Sequence, residues 1–324
     1  MAFIAKQQNE RGGFPSYELY PVVKPDEDWS VIPDDSPFIT ANILCSLLQV
    51  NNEKAQQIIR KGTTYLSALM EYGGYWRFWP LHSKQHPVPI DLDDTAVASY
   101  VLTKAGYTLN NREILLSNKN DSAYFETWLK PNWQLLFKSP LLNLKLLHNY
   151  YATQVTVNMG DFDFSDHEPA VAANVLLYLG EAENKECISR IIDEIKNGNE
   201  PLQFYPDAIM LYYHIARAYA GGITSFIELK DTIAERLLKR FTGNLNENDT
   251  LLYLMAANIL LDFKTAVSLA GKLIDYVALG SMYPDKWQCL PYFCSKNRNF
   301  LVGSPAFTAA LFAEAYTKLN AAKS

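Results

Sequence analysis

Apolar positions along the chain fall into two kinds of helical run. One kind is apolar almost all round and opens with a shared grammar: a small or acidic residue, then Pro or Thr, then Ala and branched residues. Ser36-Pro37-Phe38-Ile39-Thr40-Ala41-Asn42-Ile43-Leu44 matches Ser304-Pro305-Ala306-Phe307-Thr308-Ala309-Ala310-Leu311-Phe312. Glu168-Pro169-Ala170-Val171-Ala172-Ala173-Asn174-Val175-Leu176 repeats the Ala-Asn pair of the first. Asp94-Thr95-Ala96-Val97, Asp249-Thr250-Leu251-Leu252 and, more loosely, Asp207-Ala208-Ile209-Met210 share the frame. A short oxygen-bearing side chain accepts from the free N–H groups of a first turn, and Pro there forfeits no bond. The pattern therefore predicts helices starting at 36, 94, 168, 207, 249 and 304, each apolar on every side and so buried on every side.

Between them lie runs with one charged face, which predict helices over 52–70, 112–129, 185–197, 228–241 and 263–277. Buried helices alternating with half-exposed ones predict an all-α chain, an (α/α)6 barrel of six helical hairpins with an inner and an outer ring. An open solenoid of helical pairs is the alternative. Closure is favoured because the first and last repeats are the most alike and neither carries a polar cap. Strand signals are nearly absent. Residues 130–160, with a helix-like Leu141–Tyr151, read as an insertion, and the 324 residues are used up by one barrel domain spanning 1–324.

Composition narrows the function classes. With 48% apolar and 20% charged residues the chain can build a large core. A net charge of −6 argues against a nucleic-acid partner, which needs a basic face. Cys45, Cys187, Cys289 and Cys294 show no CxxC or framework spacing, which suits reduced thiols. No apolar run reaches 18 residues and the first residues lack the apolar core of a secretion signal, so a cytoplasmic chain without a transmembrane segment is expected. Peripheral membrane contact is left open. Twenty Tyr, 16 Phe and 6 Trp make the chain rich in aromatic rings.

Two motifs carry chemistry. Gln8-Asn9-Glu10-Arg11-Gly12-Gly13-Phe14 and Gly73-Gly74-Tyr75-Trp76-Arg77-Phe78-Trp79-Pro80 each hold a Gly-Gly-aromatic turn. After the second comes Asp91-Leu92-Asp93-Asp94-Thr95-Ala96. Asp91 and Asp94 could simply cap a helix, but three acids exceed what capping needs. Clustered carboxylates cannot all be ionised together, so such a group holds a proton at unusual pH.

The D-x-D-D-T-A run behind a Gly-Gly-aromatic turn resembles the acid motif of class II terpenoid cyclases, the squalene–hopene and copalyl-diphosphate-synthase type within the α/α-toroid superfamily they share with the protein prenyltransferases. Gln8 to Phe14 resembles their Q-x-x-x-G-x-W repeat, with Phe in place of Trp. The resemblance implies protonation of an isoprenoid double bond or epoxide, followed by carbocation cyclisation. It implies Asp93 as proton donor, with Asp91 and Asp94 tuning it. Tyr75, Trp76, Phe78 and Trp79 are then candidates to face the cation, since an aromatic ring attracts a cation by roughly 0.5–2 kcal/mol. No cofactor is required for protonation; Mg2+ is expected only where the substrate is a diphosphate. The cyclases it resembles carry a second barrel, so a lone barrel implies that a homodimer, a partner or the 130–160 insertion closes the site.

A second acidic group, Asp161, Asp163, Asp166 and Glu168, precedes the next inner helix. Asp163 and Glu168 are candidates for a diphosphate or second acid site, against the plainer reading of a solvated acidic loop. His82, His86 and His167 lie near these acids, and His86 is kept as a candidate partner. The zinc chemistry of protein prenyltransferases is not supported: Asp285 and Cys289 lack the D-x-C spacing, and no histidine follows His214. A carbohydrate-active α/α barrel using paired carboxylates and a non-catalytic toroid scaffold remain as alternatives.

Overall fold

A computed structural model describes residues 1–324 except 21–29, 35, 81–87, 134–136, 138, 157–162, 244, 246–248, 281–286, 288 and 299. The predicted buried runs become α2 (Pro37–Leu47), α4 (Leu92–Lys104), α7 (Pro169–Leu179), α9 (Ala208–Ala220), α11 (Thr250–Asp262) and α13 (Pro305–Lys323). Every residue of α2 is buried, as a helix without a polar face requires. α2 packs on α4, α4 on α7, α7 on α9, α9 on α11, α11 on α13, and α13 returns to α2. The inner ring is therefore closed, and the open solenoid is excluded.

The outer helices are α1 (Ala2–Gln7), α3 (Glu53–Leu69), α5 (Arg112–Leu116), α8 (Lys185–Lys196), α10 (Lys230–Phe241, led in by a 3-10 turn Thr224–Leu229) and α12 (Val267–Gly280). α1 packs on α13, so the chain's first helix serves as the outer partner of its last inner one. α6 (Pro140–Thr156) falls in the segment read as an insertion. Arg77 on the motif turn reaches it, its guanidinium donating to Asn149 Oδ1 (2.5 Å) and to Val88 O (3.0 Å).

The structure corrects the sequence reading in three places. The helix expected over 112–129 ends at Leu116. Asn120 Oδ1 accepts from the N–H groups of Ser122 and Tyr124, and Ala123 takes a positive φ of 58°, so a side-chain-held turn replaces the helix. The segment after it is extended and pairs with the acid motif: Leu92 N donates to Thr127 O (2.8 Å) and Leu129 N to Ile90 O (2.9 Å). The helix expected from Asp94 starts at Leu92, which moves two of the acids into its first turn. And strands do occur. β1 (Ser16–Tyr20), β2 (Ser30–Asp34), β3 (Pro291–Cys294) and β4 (Leu301–Gly303) form one antiparallel sheet in the order β2-β1-β4-β3. The β1–β4 pairing ties the start of the chain to its end. Between Pro291 and Phe293 the β3–β4 register slips by one residue, a bulge that re-aims the side chains around it.

Both Gly-Gly-aromatic turns make the same joint. Phe14 N donates to Thr40 Oγ1 (3.0 Å) in α2, and Trp76 N donates to Thr95 Oγ1 (3.2 Å) in α4. Gly12 has φ +103°, and a Cβ there would sit 2.2 Å from Lys61 O. Only glycine fits that position. Gln8 Nε2 closes the first turn, donating to Gly12 O (2.9 Å) and to Ile58 O (3.0 Å) of α3. The repeat thus hangs an outer helix and an inner helix on one turn.

Candidate active site

The three acids of the motif separate into different tasks. Asp91 is the N-cap of α4: its Oδ1 accepts from Asp93 N (2.7 Å) and its carbonyl from Thr95 Oγ1 (2.7 Å). Capping is therefore carried by Asp91, and Asp93 is free of it. Asp93 is buried at 3% exposure. Its Oδ1 accepts from Asn174 Nδ2 (2.6 Å) in α7, and its Oδ2 accepts from the phenol O–H of Tyr205. Burial pushes the Asp93 carboxyl up to about 7, against the two hydrogen bonds and the Arg217 charge, which all favour the anion. Asp94 is buried with Oδ2 unpartnered, and burial with two neighbouring carboxylates holds its proton well above the usual range. Burial and then Asp93 do the same to Asp91, opposed by its bonds from the backbone.

Arg217 of α9 acts on Asp93 through its charge and through Asn174. Its guanidinium donates to Asn174 Oδ1 (2.5 Å), to Asn42 Oδ1 (3.0 Å) and to His214 Nδ1 (3.1 Å). Because Arg can only donate, Asn174 must present its oxygen to Arg217 and its NH2 to Asp93. The same logic leaves His214 Nδ1 bare and puts its proton on Nε2, which donates to Tyr292 Oη (3.1 Å). Tyr292 in turn donates to Asn42 Oδ1 (3.2 Å). Burial, then the Arg217 charge, lowers the His214 pKa well below the ordinary value.

Aromatic rings cover the acid through Tyr205. That ring packs on Tyr292 (centroids 5.6 Å apart), His214 (4.9 Å) and Phe293 (6.2 Å). Phe293 stacks on Phe78 (4.9 Å) and on Phe204 (5.9 Å), Phe78 meets Trp79 edge-on (4.8 Å), and Phe204 meets Trp128 (5.5 Å). The bulge in β3 lets consecutive Tyr292 and Phe293 both touch Phe38, at 5.9 and 6.2 Å.

Of the aromatic candidates, Phe78 and Trp79 stand in this cluster. Trp76 is tied elsewhere, its indole N–H donating to Leu66 O (2.8 Å) of α3, and the face of Tyr75 is taken by the Lys145 ammonium 5.5 Å from its centroid. The second acidic group splits. Glu168 is fully buried and its Oε2 accepts from Phe204 N (3.0 Å). Burial pushes Glu168 up to about 8, opposed by backbone N–H groups and reinforced by Asp93. Asp163 is exposed and turned onto Ser165, whose N–H and hydroxyl hold its carboxyl below the ordinary value. Asp166 pairs with Lys296 (2.5 Å). His167 packs on Tyr124 (5.1 Å). His82, His86 and Asp161 lie outside the described residues. Among the described residues, no three His, Cys, Asp or Glu are arranged to hold a metal ion, and none of the helices is long and apolar enough to cross a membrane.

Asn174, Tyr205, Arg217, His214, Tyr292, Phe204 and Phe293 are the site residues that the sequence reading missed. The recurring Ala-Asn pair was the one available signal, since Asn42 and Asn174 are the two amides that grip Arg217.

No protein-family model and no curated protein sequence matches the chain. Solved structures do. Over 99% of this chain and 95% of its own, the type II terpene cyclase MstE from Scytonema superposes with a TM-score of 0.66 at 13% identity. A variant of that cyclase with one tyrosine changed to phenylalanine does so with a TM-score of 0.66 at 14% identity, over 99% of this chain and 94% of its own. ent-Copalyl diphosphate synthase from Streptomyces platensis matches over 88% of this chain with a TM-score of 0.61 at 15% identity. This chain spans about half the length of that synthase, 50% of it, but nearly the whole of the Scytonema cyclase. The fold is that of the class II terpene cyclases, in the form of a single α/α ring.

Proposed function

We propose that this chain is a protonation-initiated, class II terpene cyclase with Asp93 as its general acid. The observation that carries this reading is a buried carboxyl, left free of capping by Asp91, with hydrogen-bond donors already placed on both its oxygens; burial pushes it up to about 7. In the first step the Asp93 O–H proton passes to the less substituted carbon of the terminal isoprenoid double bond, whose π pair makes the new bond and leaves a tertiary cation, or to an epoxide oxygen, whose C–O bond then opens. A new C–H or O–H bond forms, and the electron pair of the broken O–H bond stays on Asp93. The carboxylate is then stabilised by Asn174, Tyr205 and the N-terminus of α4, whose dipole favours an anion. The rings of Phe78, Phe293 and Phe204 offer π-faces to the migrating cation, and loss of a proton at its final position completes an isomerisation. Asp91 and Asp94 contribute by making a second ionisation in the cluster unfavourable. A diphosphate-bearing substrate would bring Mg2+ with it; the proton transfer from Asp93 uses only the chain's own groups.

The test is the purified protein incubated with farnesyl diphosphate, geranylgeranyl diphosphate and squalene, with products read by gas chromatography and mass spectrometry. A cyclised product from one of them, lost in Asp93→Asn, is expected. Equal product from both proteins would remove Asp93 from the mechanism, and no product from any prenyl substrate would sink the cyclase reading.

A further inference from the structure

Glu168 occupies the N-cap position of α7 but makes no side-chain cap bond there. Helix start-points with Pro at the first position spare one N–H, and this carboxyl is turned elsewhere. It is fully buried, and among the described residues no ion pair offsets it. Its Oε2 accepts from Phe204 N (3.0 Å), while Phe204 O accepts from Cys294 N (2.8 Å) of β3. Residue 204 is thus pinned from both sides, once by a strand and once by a carboxyl from an inner helix. The next residue is Tyr205, whose hydroxyl reaches Asp93. A buried N–H left without its acceptor is costly, so the segment would move to recover one.

We infer that Glu168 is a positioning residue: its buried carboxyl holds the 203–205 segment in the place from which Tyr205 donates to Asp93. This deepens the cyclase reading, on which it rests for the meaning of Asp93 as an acid, but the geometry can be tested without substrate. The route from Glu168 to Asp93 is one backbone bond and one side chain. The consequence is that the acidity of Asp93 depends on a residue in a different helical hairpin, and that loss of Glu168 should mimic loss of the Tyr205 hydroxyl.

The experiment is a titration of the Asp93 carboxyl by 13C NMR on protein labelled at aspartate, with the signal assigned from Asp93→Asn. Tyr205→Phe removes a donor to the anion and is expected to raise the Asp93 midpoint by about one pH unit. Glu168→Ala is expected to raise it comparably, and the double variant no further, because residues acting through one contact are not additive. Glu168→Gln keeps an oxygen for the Phe204 N–H and should titrate close to the unmodified protein. If Glu168→Ala does not fold, Glu168→Met fills the space without an acceptor and makes the same comparison. A midpoint unmoved by Glu168→Ala or Glu168→Met, or a shift that adds to that of Tyr205→Phe, would overturn the inference. Turnover is scored separately: an inactive protein with the non-additive titration intact would fail the cyclase reading alone.

Discussion

Two groups of buried carboxyls in this ring are held by different partners. At the starts of α4 and α7, Asp93 and Glu168 have neutral hydrogen-bond donors and, among the described residues, no cation in direct contact, and burial lifts them to about 7 and about 8. At the end of α11 and the middle of α13, Asp262 and Glu314 share Lys318, at 2.7 and 2.6 Å, and Tyr213 adds a donor to Glu314 (3.0 Å). There burial raises Asp262 only to about 6, with Lys318 as the main opposing influence. Desolvation alone pushes a carboxyl to hold its proton; a cation against it restores the charged form. The first arrangement favours the protonated carboxyl. The second clamps two helices.

That contrast makes separable expectations. Asp93→Asn should cut turnover by about 10²–10⁴-fold, the range for loss of a general acid, while costing only about 1–3 kcal/mol in unfolding, because the amide offers one acceptor oxygen to the two donors that the carboxyl serves. Lys318→Met should do the reverse. It leaves Asp262 and Glu314 without their cation and is expected to cost about 3–5 kcal/mol in urea unfolding, with kcat per folded molecule within a few fold. A large kcat loss in Lys318→Met at intact stability would erase the distinction between the two clusters.

A smaller effect follows from the proton held at the first cluster. A carboxyl with a folded pKa above its unfolded one adds stability that is whole at acid pH and is lost as pH rises through the folded value. With Asp93 raised from 3.8 to about 7 and Glu168 from 4.5 to about 8, Tm should fall as pH rises from about 4 to about 8 and level off above, and Glu168→Gln should flatten that slope. A Tm that climbs over this window would mean that these carboxyls are ionised in the folded chain. The smallest contrast separates two neighbouring rings. Trp76→Phe loses the bond to Leu66 O and should cost about 0.5–1.5 kcal/mol without altering the product pattern, whereas Phe78→Leu, within the aromatic cluster, should change product ratios.

How much of this was legible beforehand depended on whether a signal was local. The inner helices announce themselves because each must be apolar on every side, and α2 and α7 begin one residue after the Ser36 and Glu168 that mark them. The acid motif was legible for the same reason: Asp91, Asp93 and Asp94 lie within four residues. The failure at 112–129 came from residues with competing preferences. Asn118 and Asn120 hold a turn through their side chains, and the freed segment is used to pin the acid motif instead. The strands escaped notice because β3 and β4 are short and become strands only by pairing with each other and with the chain's distant start.

By itself, then, the sequence determined a set of buried helices, the place of three acids at the start of one of them, and the glycines of the aromatic turns that dock onto Thr40 and Thr95. These follow from side-chain polarity, spacing and backbone freedom, which act over a turn or two of chain. Only the tertiary structure decided which acid caps and which is free, and that Asn174, Tyr205 and Arg217, 81 to 124 residues beyond Asp93, would set its proton. The pKa of a carboxyl is fixed by what replaces its water, and that is known only once the ring has closed around it.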